Sequence, residues 1–242
     1  TSTLLHEAVP LTGAIVSGAY VSAAAEENIK NYSHGMFQSV YDYPYLSSSA
    51  NHVLDITCGY SIKSNLSSST NSQNAKKINI YNQMAQVLAG YDSTGSILQF
   101  DQSGEVIASG TKLNEVYFLN FSRLLVKDEI KKGTFQIELG VADGYYNAGG
   151  ETALGSTQHK RIKISDASGS SKYLTNSPAG EYGILYATGS KNDPIAGGSP
   201  SDYKPCGLLY YQAGIAVISG SVFGAGPRDL TAGGGILSGS SA

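Results

Sequence analysis

The chain has 242 residues, with 29 Gly, 17 Tyr, no Trp, and only 14% charged residues against a formal net charge of −3. That length buries a sizeable core without help from metals or disulfides, as one large all-β domain or two small ones. The negative balance and the scattered basic spots (Lys76-Lys77, Lys131-Lys132, His159-Lys160-Arg161) argue against a nucleic-acid binder, whose affinity comes from neutralising phosphates.

A surface this poor in charge, against roughly 25% in ordinary soluble domains, is neutral, hydroxyl-rich and Tyr-rich. Such surfaces suit protein contacts made by hydrogen bonding and aromatic packing. The longest apolar candidate, 206–223, is interrupted by Gln212, Gly214, Ser219 and Gly220, so no membrane partner is expected. Cys58 and Cys206 lie far apart, each beside a strand-like run; one long-range disulfide could join them, and two buried free thiols are the favoured expectation. The first residue is Thr1 rather than Met, which suggests a processed form or a portion of something longer.

In chain order, residues 1–50 have little regular period and read as an N-terminal arm with a short helix around 23–29. Its Tyr-rich patch contains Tyr41, Tyr43 and Tyr45, and Pro44 stops any helix there. Residues 53–62 read as a strand with small residues at a bend, followed by a polar loop over 64–72. The pattern over 74–89 is amphipathic: Ile78, Tyr81, Ala85 and Leu88 share one face, Met84 and Val87 widen it, and Gly90 stands as the stop. Next, 97–101 and 105–108 read as a hairpin around a turn in which Asp101 bonds back to the backbone and Gly104 supplies positive φ.

The stretch 114–140 carries the most consistent signals: strand, charged corner, strand. Period-two alternation marks 116–121 and 134–139, and between them Lys127, Asp128, Glu129, Ile130, Lys131 and Lys132 read as a charged helical turn stopped by Gly133. At helical spacing Asp128 pairs with Lys131 or Lys132. Short strands follow at 160–165 and 182–187, separated by long turn-rich loops. The run 207–218 is nearly continuous apolar and split at Gly214 as a hairpin requires. Residues 224–242 form a Gly/Ser-rich tail. The sum is a mainly β fold with a minor α part: a β-sandwich or barrel-like domain over 51–223, one amphipathic helix (about 74–89), long loops and extended terminal arms.

No catalytic signature occurs: there is no GxSxG, HExxH, phosphate-binding loop or CxxC. His6, His34, His52 and His159 show no metal-ligand spacing, so no metal or other cofactor is expected, and the chain reads as a non-enzyme. Of the carboxylates, Asp55 and Glu138 lie on strands and are the candidates for a facing pair, against the plainer reading of one cross-strand interaction each. Two groups are candidate protein contacts. One is the corner Lys127, Asp128, Glu129, Lys131 and Lys132; the other is the patch Tyr41, Tyr43 and Tyr45, which could equally stack on sugars.

Three runs carry a resemblance: NAKKINIYNQMAQVLAGYDSTGSILQFD, TKLNEVYFLNFSRLLVKDEIKKGTFQIELG and GLLYYQAGIAVI. They are similar to stretches of virion structural proteins of T-even-like tailed phages, particularly those infecting marine cyanobacteria. The resemblance spans roughly residues 53–223, is strongest at 74–139 and 207–218, and leaves out the arm and the tail. It implies a particle component of the neck, tail or baseplate, put together in the host cytoplasm with other virion subunits and with its own copies. It carries over no catalytic residue. The alternatives are a carbohydrate-binding, host-recognition module of the virion, a capsid decoration protein, or a cell-envelope hydrolase, against which the missing motifs count.

Overall fold

The computed structural model describes residues 7–8, 16–17, 29–32, 36–64, 67, 72–104, 110–122, 128–140, 161–166, 168–189 and 204–223. Two short strands, β1 (Glu7–Ala8) and β2 (Val16–Ser17), pair with each other. The rest of the β structure is one ten-stranded antiparallel sheet curled into a half-barrel. Its strands are β3 (Ile29–Asn31), β4 (Phe37–Tyr41), β5 (His52–Tyr60), β6 (Glu115–Phe121), β7 (Gln136–Gly140), β8 (Arg161–Ser165), β9 (Leu174–Ser177), β10 (Gly180–Gly189), β11 (Lys204–Tyr210) and β12 (Ile215–Ser219). They lie in the order β3-β4-β5-β6-β12-β11-β10-β8-β7, with β9 alongside β10. One helix, α1 (Ser72–Leu88), lies against the sheet, chiefly on β5.

The centre of the sheet is apolar on both faces, which is why its strands lack the polar alternation of a half-exposed strand. In β6, Val116 and Phe118 join a core with α1, while Tyr117 and Leu119 point into the second core inside the curl. Strands β12 and β11 divide in the same way: Val217, Leu208 and Tyr210 lie on the helix side, and Ala216, Ile218 and Leu209 on the other. The hairpin expected over 207–218 is present, and Gly214 (φ 68°) completes the turn between β11 and β12.

The helix has close to its expected span, and Tyr81, Ala85 and Leu88 of its expected face are buried, with Ile78 and Met84 partly so. Its buried stripe is Lys77, Tyr81, Ala85 and Leu88, at spacings of four, four and three. Val87, expected to widen that stripe, is exposed, whereas Lys77 is fully buried and its Nζ has no hydrogen-bond partner. Gly90 ends the helix as expected, with φ 88° and its N–H donating to the Ala85 carbonyl at 2.8 Å.

Aromatic side chains fasten this layer. Tyr81 donates to the Leu113 carbonyl at 2.8 Å, and its ring meets Phe100 edge-on at 5.4 Å. Phe100 in turn meets Phe118 at 5.7 Å and Tyr210 at 6.5 Å, also edge-on. Such pairs add about 0.5–1.5 kcal/mol each beyond the area they bury. At the crossing of α1 over β5 stands Gly59; a Cβ built there would lie 3.0 Å from the Tyr81 Cα.

Three sequence expectations need revision. Part of the segment read as an arm is sheet, since β3 and β4 extend it beyond β5; Ile29, expected near the end of a helix, begins β3, and residues 23–28 lie outside the described residues. The second strand expected at 105–108 also lies outside the described residues. On its first side Ile97 and Asp101 form isolated bridges with Tyr91 and Lys112, so 100–102 run against 111–113. The Asp101 turn itself stands: its Oδ1 accepts the Ser103 N–H at 2.9 Å, and Gly104 has φ 74°. The charged corner is not helical, for reasons given below. The stretches 142–155 and 224–242 lie outside the described residues.

The close approach at Gly59 has a measurable consequence. Gly59→Ala is expected to lower stability by about 1–3 kcal/mol through overpacking against the helix backbone. The readout is the urea midpoint at unchanged slope; an unmoved midpoint would contradict the approach.

Candidate functional site

The sequence-derived candidates fall into two places, and a groove adds a third. The tyrosine patch forms the tip of the β4–β5 hairpin. Tyr41 is opposite His52 in register, with an irregularity between Val40 and Tyr41, and residues 42–51 form the loop. Asp42 and Asn51 close its base: Asp42 N–H donates to the Asn51 carbonyl at 3.1 Å, Asn51 N–H to Asp42 Oδ1 at 2.7 Å, and Asn51 Nδ2 to Asp42 Oδ2 at 2.9 Å. Within the loop Ser47 N–H donates to the Pro44 carbonyl at 2.8 Å, and Ala50 N–H to the Ser47 carbonyl at 3.1 Å. Two consecutive turns lie inside a three-bond clamp, and the large side chains stand outside. Tyr43 is 56% exposed, Tyr45 36% and Leu46 87%. Leu46 escaped the sequence reading; an apolar residue directly after Tyr45 and before three serines was the available signal.

Beneath the tip a polar chain ties the strands together. The Tyr41 ring lies 6.3 Å from Tyr45 and 5.5 Å, edge-on, from His52. Asp55 Oδ1 contacts His52 Nε2 at 2.8 Å and accepts the Ser39 hydroxyl at 2.6 Å. Tyr32 and Ser39 share a further hydrogen bond of 3.2 Å. A serine, a histidine and an aspartate are therefore in contact, but with the carboxylate between the other two. A nucleophilic triad needs the imidazole in the middle to take the hydroxyl proton, so this chain of bonds positions strands and does not activate Ser39. For Asp55 the plainer expectation of one cross-strand interaction holds, since Ser39 is its register partner. Glu138 stands on the edge strand β7 opposite Lys163, with β6, β12, β11, β10 and β8 between its strand and β5 in the sheet.

The charged corner is held inward. Lys127 lies outside the described residues. Asp128, Glu129 and Lys131 are exposed. The Asp128 pairs expected from helical spacing are replaced by Lys132 Nζ contacts to Glu181 Oε2 at 2.5 Å and to Glu129 Oε1 at 3.8 Å. Lys132 Nζ also lies 4.9 Å from the Tyr173 ring centroid and 5.6 Å from that of Tyr211. The Glu181 hydrogen bond above all holds the Lys132 amine charged to higher pH than a free lysine.

The helix fails to form because the corner's amides are claimed elsewhere. Buried Asp166 accepts the N–H of Gly133 at 2.7 Å and of Phe135 at 2.9 Å, together with the Tyr211 hydroxyl at 3.2 Å. Ile130 N–H donates to the Tyr211 carbonyl at 3.0 Å. A buried carboxylate with three donors is a strong local organiser, each such bond contributing about 1.5–3 kcal/mol. The corner is thus a fixed turn whose lysine at 132 is committed to the molecule itself.

The third feature lies at the far end of β5. A groove of about 520 Å³ opens between the residues after that strand, α1 and the loop 91–99. Its lining mixes Ile62, Ile97 and Leu98 with Lys63, Asn82, Asp92, Gln99 and Lys112. Asp92 is engaged by its own loop, accepting Thr94 N–H at 2.8 Å and Ser96 N–H at 2.9 Å; the Thr94 and Ser96 bonds hold it below the usual carboxylate range. Lys112 is paired with buried Asp101 at 3.0 Å. A second void, near Leu88, Tyr182 and Tyr210, is only about 10 Å³.

Cys58 and Cys206 are buried and form no disulfide, as expected, and burial pushes the Cys206 thiol up to about 12. Among the described residues no three His, Cys, Asp or Glu side chains form a group that could hold a metal. No helix among them is long and apolar enough to cross a membrane. Compared with known protein families, curated proteins and solved structures, the chain matches none.

The clamp at the hairpin base sets a pH dependence. Hydrogen bonds from Asn51 hold the Asp42 carboxyl below its ordinary value of 3.8. A carboxylate with a depressed folded value favours the closed loop above the ordinary value and loses that contribution as pH falls through the folded one. The Asn51 amide is therefore expected to stay protected from hydrogen exchange at pH 5–7 and to lose protection below about pH 4, while Asp42→Ala loses it at every pH. Equal protection in both proteins would contradict the clamp.

Proposed function

We propose that this chain is a structural subunit of a virion, of the kind built by T-even-like tailed phages, and that it works by protein contact in the neck, tail or baseplate. The observation that carries the reading is the closed hairpin tip, which presents Tyr43, Tyr45 and Leu46 to solvent on a backbone with little freedom left to lose. Binding costs ordering entropy, and a pre-ordered loop carrying aromatic and aliphatic groups avoids most of it. The neutral, Tyr-rich composition and the similarity of three sequence runs to virion structural proteins support the same reading. The partners are other virion subunits and further copies of the chain, joined in the host cytoplasm; neither nucleic acid nor membrane is among them, and no catalytic step or cofactor is invoked. A place as a capsid decoration protein belongs to the same class of function.

A second reading draws on the same tip. Tyr43 and Tyr45, two residues apart and both solvent-facing, offer rings on which a sugar could stack, as a host-recognition module would use them. The two readings differ in what the purified protein does alone.

Light scattering coupled to gel filtration across a concentration series separates them. The structural reading expects a mass above that of the 25.3 kDa monomer, as a defined oligomer or a mass rising with concentration. A monomer at every concentration, with a thermal midpoint raised by a specific sugar, would overturn it in favour of recognition.

A further inference from the structure

We propose that the groove at the far end of β5 is a ligand site distinct from the hairpin tip, and that it takes a short, uncharged oligosaccharide. The inference rests on neither reading of the tip and holds whether or not copies of the chain assemble. The groove's volume, about 520 Å³, lies within the usual span of ligand clefts, about 300–1,000 Å³.

Two properties of the walls select the ligand's chemistry, and the first is charge. Lys112 is turned to buried Asp101 at 3.0 Å, which leaves Lys63 and Asp92, one charge of each sign. An anionic ligand meets Asp92 and a cationic one meets Lys63, so the groove as a whole favours neither.

The second is the hydrogen bonding left over. Asp92 takes its loop bonds, from the Thr94 N–H, the Thr94 hydroxyl and the Ser96 N–H, all on Oδ1, so Oδ2 is left to accept. Gln99 spends its Nε2 on the Ser61 hydroxyl oxygen and keeps Oε1 as an acceptor. The Asn82 side chain on α1 makes no hydrogen bond among the described residues, so its amide offers donors and an acceptor together. Lys63 adds donors. A hydroxyl group donates and accepts at once, and a ligand carrying several of them answers such a mixture. Its C–H faces have Ile62, 72% exposed, with Ile97 and Leu98 to pack on.

A peptide suits these walls less well. Extended peptides bind by adding backbone hydrogen bonds to an open edge. Along this groove the N–H groups of Ser61, Asp92 and Leu98 already donate to backbone carbonyls, that of Lys63 to the Ser61 hydroxyl and that of Ser96 to Asp92.

Calorimetric titration of the full chain tests the site, with the trisaccharides of glucose, galactose, mannose and N-acetylglucosamine as probes and trialanine as the peptide control. Asn82→Ala removes the groove's unengaged amide at a helix position where alanine is the better helix former. Ile62→Arg fills the groove from an exposed position, and a double variant, Tyr43→Ala with Tyr45→Ala, strips the tip. At least one trisaccharide is expected to bind wild type and the tip variant alike, to bind Asn82→Ala about three- to tenfold more weakly, and to lose Ile62→Arg altogether. Binding by none of the four sugars would overturn the proposal, as would trialanine binding as tightly as the best of them. Sugar binding that survives both groove variants and disappears from the tip variant would place the sugar on the tyrosines instead.

Discussion

The structure depends on a sheet that is covered on both faces. Once β5, β6, β12 and β11 are paired, one face needs the helix with residues such as Phe100 and Leu113, and the other needs its own curl. The chain of rings from Tyr81 through Phe100 to Phe118 and Tyr210 is where the first requirement is met. It also explains the placement of Gly59, since the helix can lie this close to β5 only over a residue without a side chain. The polar cost is met inside the same layer, where the buried Tyr81 hydroxyl donates to one backbone group and accepts from another.

That construction fixes both ends of β5. The strand is held from both neighbours and from above, so what is attached to it is presented in a fixed relation to the core. At one end the Asp42–Asn51 clamp closes a loop and turns its large side chains outward. At the other the chain turns under the loop 91–99 and leaves a groove. The charged corner is built on the opposite plan. Asp166, Tyr211 and Glu181 draw its amides and its lysine at 132 inward, which spends them on the fold and leaves Asp128, Glu129 and Lys131 on the surface.

Most strands were legible because their apolar runs are long, and the helix end, the Asp101 turn and the β11–β12 turn because Gly90, Gly104 and Gly214 stand where positive φ is needed. Period alone misread the corner. The spacing of Asp128 and Lys132 is compatible with a helical turn, and nothing local announces that a carboxylate 33 residues beyond Gly133 will capture its amide. Burial of Lys77 and exposure of Val87 were hidden for a similar reason: which helix face meets the sheet is decided by the close approach at Gly59. The edge strand β3 and its neighbour β4 are short and rich in polar residues, so they lack a hydrophobic signal and owe their order to pairing, β4 with β5 and β3 with β4. The tyrosine patch was visible as composition, but its meaning came from the clamp, which no periodicity predicts. The groove was not visible at all, because its walls come from four separated stretches of chain.

The central claim is the proposed one, that the hairpin tip before β5 is a protein-contact surface. Hydrogen exchange followed by mass spectrometry, on the full chain at dilute and concentrated conditions, addresses it directly. The account predicts that protection rises with concentration in peptides covering 42–51, while α1 and the central strands do not change. Protection that rises at the charged corner and leaves both ends of β5 untouched would contradict it.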